Sequence, residues 1–290
     1  SKFICLVYNC CIYYDSFLFN LKMKKINLAV TGCLGRMGQQ IIRSVKSDKN
    51  FTFEKIDIND GLKLNDYFRV CQPDKVVNLA AQAGVRNSII DPNSYVQSNV
   101  VGFMNVLEAC RHNNIKGLIY ASSSSVYGGN SLVPFSEDHN VDNPTSIYAA
   151  TKKSNELMAR CYNNLFGLRS TGLRFFTVYG PWGRPDMAYY IFTKRISENK
   201  NINLFNHGDM FRDFTFIDDI VVGIKSAIKN NYNYEIFNLG NNKPEKITKM
   251  IKIIQNELNM KAMVKLKPMQ LGDVKKTYAN IKKARDMLGY

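Results

Sequence analysis

The sequence predicts an α/β fold, with a doubly wound parallel sheet covered by helices on both faces and a smaller C-terminal lobe. Three observations support this prediction. Short apolar runs alternate with segments of helical periodicity, which is the pattern of repeated strand–helix units. A glycine-rich turn follows the run at residues 26–31. After residue 180 the segments become short and mixed, which indicates a separate lobe.

The first strand is predicted at residues 26–31, and an amphipathic helix begins about ten residues later. A strand, a glycine turn and a helix in this order are typical of a dinucleotide site in a Rossmann-like fold. Glycines let the backbone and the helix N-terminus approach a pyrophosphate. The turn residues that we expect at a cofactor are Gly32, Gly35, Arg36, Met37 and Gly38.

The later elements continue the alternation. Strands are predicted at 51–58, 75–81, 117–121 and 168–176, and helices at 62–70, 95–113 and around Tyr148. Ligands of a parallel sheet bind beyond the carboxyl ends of its strands. The strand ends expected to line one crevice are the glycine turn, Asp57, 79–82, 122–125 and 175–179.

We expect a dinucleotide-binding domain at 23–178 and a substrate lobe at 179–290, with 214–238 returning to the first domain and 214–228 helical. The apolar runs within residues 1–22 are shorter than the roughly 20 residues that span a bilayer. They show no small-residue cleavage site of a secretory signal. Because Met23 resembles a natural start, residues 1–22 are predicted to be a non-native or disordered extension.

The chain is strongly basic, with 39 Lys and Arg against 24 Asp and Glu in 290 residues and a formal charge of +15. Its lysines are spread along the whole sequence, without the arginine-rich block or dense patch of a nucleic-acid site. We therefore expect no nucleic-acid partner. A positive field still favours an anionic substrate.

The seven cysteines are scattered, without a Cys-x-x-Cys pair, and the chain has only three histidines. This composition predicts no zinc or other metal site. Free thiols are typical of a reducing compartment, so a cytoplasmic protein without a membrane span is expected.

Tyr148 and Lys152 are the residues most indicative of chemistry. Four residues apart on a predicted helix, they share one face. An ammonium beside a phenol favours the phenolate and lowers the phenol's pKa from about 10 toward neutrality. The sequence therefore predicts a phenol that acts as a general base, close to the hydroxyl cluster at 122–125.

From about residue 51 to the C-terminus, the sequence resembles the extended short-chain dehydrogenase/reductases, and within them the UDP-glucuronate 4-epimerases. The stretches that match are 78–86, 122–128, 144–156, 173–187, 207–219 and 272–279. The resemblance implies NAD as cofactor, a UDP-sugar as substrate and oxidation at carbon 4 of the sugar. It also allows a homodimer in which helices 95–113 and 147–166 pair between two copies.

The resemblance also implies roles for individual residues. Tyr148 would be the base, Lys152 its activator and the anchor of the nicotinamide ribose, and Ser123 the hydroxyl between sugar and base. The expected NAD contacts are Asp57 and Ile58 at the adenine, with Leu79, Ala80, Ala81 and Asn99 along the groove. The expected substrate contacts are Arg86, Arg184, Arg212, Leu204, Phe205 and Asp273. Donors at Ser124, Ser125 and Thr177 are predicted to hold the sugar carboxylate.

The N-terminal quarter departs from this family. Residues 26–40 resemble dihydrodipicolinate reductase instead, and the family has one more strand–helix unit between residues 32 and 79. Spacing alone gives Asp57 the contact to the adenosine ribose. The match places this residue one strand later.

Three rival functions follow. A 4,6-dehydratase has an Asp-Glu pair where Ser124 and Ser125 stand. A neutral UDP-hexose or UDP-N-acetylhexosamine 4-epimerase usually has Asn at position 177 and Arg at position 270, where this chain has Thr and Gln. A catalytically impaired, truncated or chimeric member of the family is the third.

Overall fold

The structure is a computed structural model, and it describes residues 3–10, 26–31, 51–181, 183–270 and 272–290. The glycine turn at 32–38 and the helix predicted after it lie outside these residues. The expected cofactor contacts of Gly32, Gly35, Arg36, Met37 and Gly38 therefore stay predictions.

A seven-stranded sheet forms the larger layer, in the order β10-β6-β5-β4-β2-β1-β3. Its strands are β1 (Phe3–Cys10), β2 (Ile26–Thr31), β3 (Phe51–Asp57), β4 (Lys75–Asn78), β5 (Gly117–Ser123), β6 (Ser170–Phe175) and β10 (Tyr234–Leu239). The five strands from β2 to β10 are mutually parallel. Helices pack on both faces of this sheet, which confirms the predicted Rossmann-like α/β class.

Strand β1 corrects the prediction for the start of the chain. Phe3–Cys10 lies inside the sheet and pairs antiparallel with both β2 and β3, whereas we expected residues 1–22 to be peripheral. The segment is rich in aromatic and β-branched residues, which favour strands. It also supplies backbone partners to two strands whose facing edges would otherwise be unpaired. Residues 11–22 lie outside the described part of the chain.

The helices around the main sheet divide between its two faces. They are α1 (Gly61–Cys71), α2 (Val85–Ile90), α3 (Pro92–Tyr95), α4 (Gly102–His112), α5 (Ile147–Phe166), α7 (Ile217–Asn230) and α9 (Lys282–Leu288). One core unites the sheet with α7 and α9, and the other unites it with α1, α4 and α5. The single helix predicted at 95–113 is interrupted, because Val96–Val101 forms a π-helical stretch between α3 and α4.

A smaller lobe follows β6. It contains β7 (Thr177–Tyr179), α6 (Ala188–Ser197), β8 (Ile202–Phe205), β9 (Phe211–Phe216), β11 (Pro244–Lys246), α8 (Ile247–Leu258) and β12 (Val264–Lys267). The helix predicted to begin at residue 214 begins at Ile217 instead, because Phe211–Phe216 forms strand β9, which pairs with β7 and β11. Helix α7 then leads to β10, which pairs with β6 in the main sheet.

Candidate active site

Helix α5 positions Tyr148 and Lys152. Ser146 caps its N-terminus, since the hydroxyl accepts a hydrogen bond from the Ala149 N–H at 3.1 Å. The helix ends at Gly167, which adopts the left-handed conformation that favours glycine. Tyr148 and Lys152 therefore occupy the first two turns of a well-capped helix, one above the other.

Lys152 is only 4% exposed, and its Nζ donates to the Ala121 carbonyl oxygen of β5 at 2.7 Å. Burial of the ammonium lowers its pKa to about 8. An ammonium has three donors, and the structure gives one bond, to Ala121. Lys152 therefore has donor capacity left for a bound hydroxyl.

Tyr148 differs from the prediction in the direction of its pKa. Burial raises the pKa of this phenol above its usual value of 10, although a hydrogen bond with Ser123 and the charge of Arg184 both lower it. The expectation that Lys152 brings it toward neutrality is wrong, because desolvation of the phenol is the largest effect on its pKa. The Lys152 ammonium bonds to the Ala121 carbonyl instead.

Ser123 ends β5 and starts the tight turn that contains the other serines. Its Oγ accepts the Ser125 N–H at 3.1 Å and donates to the Ser125 Oγ at 3.2 Å. Ser123 also lies close enough to the Tyr148 phenol to lower its pKa. The structure therefore brings Ser123, Tyr148 and Lys152 together as predicted by the resemblance.

A buried ion pair beneath the serine run was missed by the sequence reasoning. Arg174 Nε and Nη2 donate to the two carboxylate oxygens of Glu156, each at 2.9 Å. The Ser122 hydroxyl donates to the same carboxylate at 2.6 Å, and Arg174 Nη1 donates to the Tyr127 hydroxyl at 3.0 Å. Two signals were available: Glu156 lies one turn beyond Lys152, and Arg174 is the charged residue of a wholly buried strand.

Most of the residues expected along the cofactor groove lie at the ends of β3 and β4. Asp57 ends β3, is half-buried and accepts the Asn59 N–H through Oδ1 at 2.9 Å, while Ile58 is buried. Leu79, Ala80 and Ala81 are half-buried after β4.

Asn99 is 1% exposed, and its amide is occupied within the protein. Its Oδ1 accepts the Gln82 N–H at 2.7 Å, and its Nδ2 donates to the Gln82 carbonyl and to Thr151 Oγ1. It therefore holds the loop after β4 against α5. The Asp57 carboxylate at the end of β3 and the buried Lys152 ammonium, which has donors left, fit the hydroxyl groups of a dinucleotide.

A cavity of about 500 Å³ lies between the two lobes' strand ends. It brings together seven predicted substrate residues: Arg86, Thr177, Arg184, Leu204, Phe205, Arg212 and Asp273. Ser124 and Ser125 are not among its lining residues. Arg195 and Asp186 also line the cavity, although they were not predicted from the sequence. Four arginines against two carboxylates make this cavity suited to a polyanion.

Ion pairs hold the cavity's arginines in place. Arg184 contacts Asp186 through two bonds of 3.0 and 2.6 Å, which raise the pKa of the guanidinium although burial opposes its charge. Arg212 Nη2 donates to Asp273 Oδ1 at 2.7 Å, and Arg86 lies 3.9 Å from the other oxygen of Asp273. Burial lowers the pKa of Arg212, and Asp273 partly restores it.

Within the described residues, no three side chains of His, Cys, Asp or Glu are grouped as a metal site. No helix in that part of the chain combines the length and apolar character needed to cross a membrane.

Comparison with known proteins identifies the family. An uncharacterised protein of Methanocaldococcus jannaschii is 52% identical over 246 residues, which cover 85% of this chain and 76% of that protein. UDP-glucuronate 4-epimerase 5 of Arabidopsis thaliana is 49% identical over an alignment of 296 positions, which covers 96% of this chain and 63% of the plant protein.

A crystal structure gives the same result. UDP-glucuronic acid 4-epimerase from Bacillus cereus, in complex with UDP-glucuronic acid and NAD, aligns with a TM-score of 0.80 and 33% identity. The alignment covers 91% of this chain and 84% of the bacterial one. The model of the NAD dependent epimerase/dehydratase family matches residues 28–240. The chain belongs to this NAD-dependent epimerase/dehydratase family, among its nucleotide-sugar epimerases.

Proposed function

We propose that the chain interconverts UDP-glucuronate and UDP-galacturonate by reversible oxidation at carbon 4 of the sugar. The observation that supports this best is a cavity with four arginines directly beside the catalytic trio: Arg184 lines the cavity, and its charge acts on the Tyr148 phenol. A diphosphate and a carboxylate are the anions that such a cavity accommodates.

Asp57 and Lys152 are the described side chains that would hold NAD, at its adenosine and nicotinamide ends respectively. When bound, NAD would supply the acceptor for the hydride of carbon 4 and the donor for its return. The protein's task is to bind, orient and move one proton.

Tyr148 accepts that proton from the sugar 4-hydroxyl, and Ser123, beside the phenol, holds the sugar oxygen in line with it. Since burial raises the pKa of Tyr148, its phenolate depends on positive charge inside the closed site. Lys152 and Arg184 are the cations that this chain offers there.

The carboxylate of the substrate makes the 4-keto sugar a β-keto acid, which is prone to lose carbon dioxide. Ser124, Ser125 and Thr177 are suited to hold the carboxylate out of line with the carbonyl. We call these three residues the clamp. Ser123 pairs with Phe175 in the parallel register of β5 and β6, so Ser125 and Thr177, each two residues further on, emerge from the same sheet edge. Charge-assisted bonds from such hydroxyls are short and directional.

One NMR experiment tests the function and the clamp. The protein is incubated with NAD⁺ and UDP-glucuronate, and the anomeric signals are followed. UDP-galacturonate supports the proposal. A decarboxylated UDP-pentose as main product, turnover of UDP-glucose or UDP-N-acetylglucosamine in preference, or no turnover would each overturn it.

Two variants accompany the wild type. Tyr148→Phe should reduce turnover by about 10²–10⁴-fold while UDP-sugar binding stays nearly unchanged, because only the general base is lost. Ser124→Ala combined with Thr177→Ala should increase the decarboxylated product. An unchanged product ratio in that double variant would remove the clamp.

A further inference from the structure

Tyr95 is a buried tyrosine between the catalytic phenol and the substrate cavity, and no step above uses it. It ends α3 and is 2% exposed. Its hydroxyl lies 2.9 Å from the Ala83 carbonyl oxygen and 2.8 Å from the Gly84 carbonyl oxygen, and donates between them. One side chain thus holds two successive carbonyls of a loop.

That loop leads into the cavity. Gly84 has a φ of +110° and immediately precedes α2, which contains Arg86. A Cβ at residue 84 would lie 3.1 Å from Arg184 Nη2 and 3.6 Å from the Tyr95 hydroxyl. The Tyr95 hydroxyl therefore sets the backbone that separates two of the cavity's arginines.

The other contact of Tyr95 is with the catalytic base. The rings of Tyr95 and Tyr148 pack edge to face, with centroids 6.0 Å apart and planes at 79°. Aromatic pairs of this geometry contribute about 0.5–1.5 kcal/mol beyond simple burial. The Tyr95 ring thus restricts the orientation of the Tyr148 phenol.

We propose that Tyr95 is a positioning residue for both the base and the arginine-lined cavity. Its ring orients Tyr148, and its hydroxyl fixes the loop before Arg86. This proposal rests on the function proposed above for both the UDP part and the sugar, and UDP binding is measured separately from turnover so that the two can fail independently.

Two variants of Tyr95 separate the two contacts. Tyr95→Phe keeps the ring and removes only the hydroxyl. Tyr95→Leu removes the ring as well. Tyr232 supplies a matched control, since its hydroxyl also donates to a backbone carbonyl, that of Met287, at the far side of the main sheet. Tyr232→Phe removes the same atom at a site without contact to the cavity.

The measurements are UDP affinity by calorimetry on NAD-loaded protein, kcat and KM with UDP-glucuronate, and thermal unfolding. Loss of a hydrogen bond worth about 1 kcal/mol corresponds to about a fivefold change in affinity. We expect Tyr95→Phe to weaken UDP binding and raise KM by about that factor with kcat almost unchanged. Tyr95→Leu should in addition lower kcat at least tenfold, and Tyr232→Phe should change neither UDP affinity nor KM nor kcat.

UDP affinity in Tyr95→Phe equal to that of the wild type would overturn the proposal, as would equal losses in Tyr95→Phe and Tyr232→Phe. Should Tyr95→Leu fail to fold, the phenylalanine variant still decides the result, because it keeps the packing. A wild type that binds UDP without turning over UDP-glucuronate would refute the function but leave the UDP arm of this test intact.

Discussion

Lys152 is an ammonium held almost wholly out of water, and its burial lowers its pKa to about 8. In the proposed function, this position places Lys152 where it can contact both the cofactor and the base. Function and stability therefore oppose each other at this residue.

The cost of burying the Lys152 charge depends on pH. The unfolded chain keeps Lys152 protonated to about pH 10.5, and the folded protein to about pH 8. Between these values the unfolded state binds more protons, so the free energy of unfolding rises with pH across this window. Below about pH 8 the buried charge imposes its full penalty, about 3 kcal/mol.

We expect Lys152→Met to abolish turnover and yet to stabilise the fold. The lost hydrogen bond to Ala121 offsets about 1 kcal/mol of the relieved penalty. The net gain in unfolding free energy is then about 2 kcal/mol at neutral pH, and it should shrink between about pH 8 and 10.5. Urea denaturation of both proteins at several pH values measures the difference. A variant that is less stable than the wild type at neutral pH would contradict the inference that the buried Lys152 charge destabilises the fold.

At the scale of elements, the pair Glu156–Arg174 joins α5 to β6. Both side chains are 3% exposed. The same network includes Ser122 of β5, adjacent to Ser123, and Tyr127 of the following turn. Helix α5 with Tyr148 and strand β5 with Ser123 are therefore joined directly beneath the candidate site.

Breaking this pair on one side should be costly. Glu156→Gln leaves a buried guanidinium without its counter-charge, so we expect a loss of about 3–5 kcal/mol in unfolding free energy. Replacing both partners, Glu156→Leu with Arg174→Met, should recover at least half of that loss, because buried pairs are often replaceable by apolar residues of similar size. Urea denaturation of the single and double variants gives the comparison. A double variant as unstable as Glu156→Gln would show that the wider network, and not the charge pair, dominates.

The sequence predicted elements well wherever the pattern was periodic, as in α5 and the buried strands β4 and β5. It failed where tertiary context decides. Residues 214–216 were predicted as the start of the amphipathic helix that follows, but they belong to β9. Nothing in residues 3–10 indicated which strands would accept them as a partner. Tyr148 and Lys152 were recognisable from spacing, but the direction of the phenol's pKa depended on desolvation that only the packed fold supplies.

At the scale of the whole molecule, helix α5 presents the catalytic residues on one face and apolar residues to solvent on another. Leu157 is 55% exposed and Leu165 is 72% exposed, and Cys161 between them is also exposed. With spacings of four residues, these three form one stripe along the helix. Exposed apolar stripes of this kind mark interaction sites.

We propose that a second copy of the chain covers this stripe, which is the pairing that the resemblance implied. The wild type should then elute as a dimer in size-exclusion chromatography with light scattering. Leu157→Lys combined with Leu165→Lys should give a monomer, because two charges would be buried without partners at the interface. Ile253→Lys is the matched control: Ile253 is 52% exposed on α8, in the other lobe, and its replacement should leave the mass unchanged. A wild type of about 33 kDa in solution would exclude the dimer, and a dimer that survives both lysines would place its interface elsewhere.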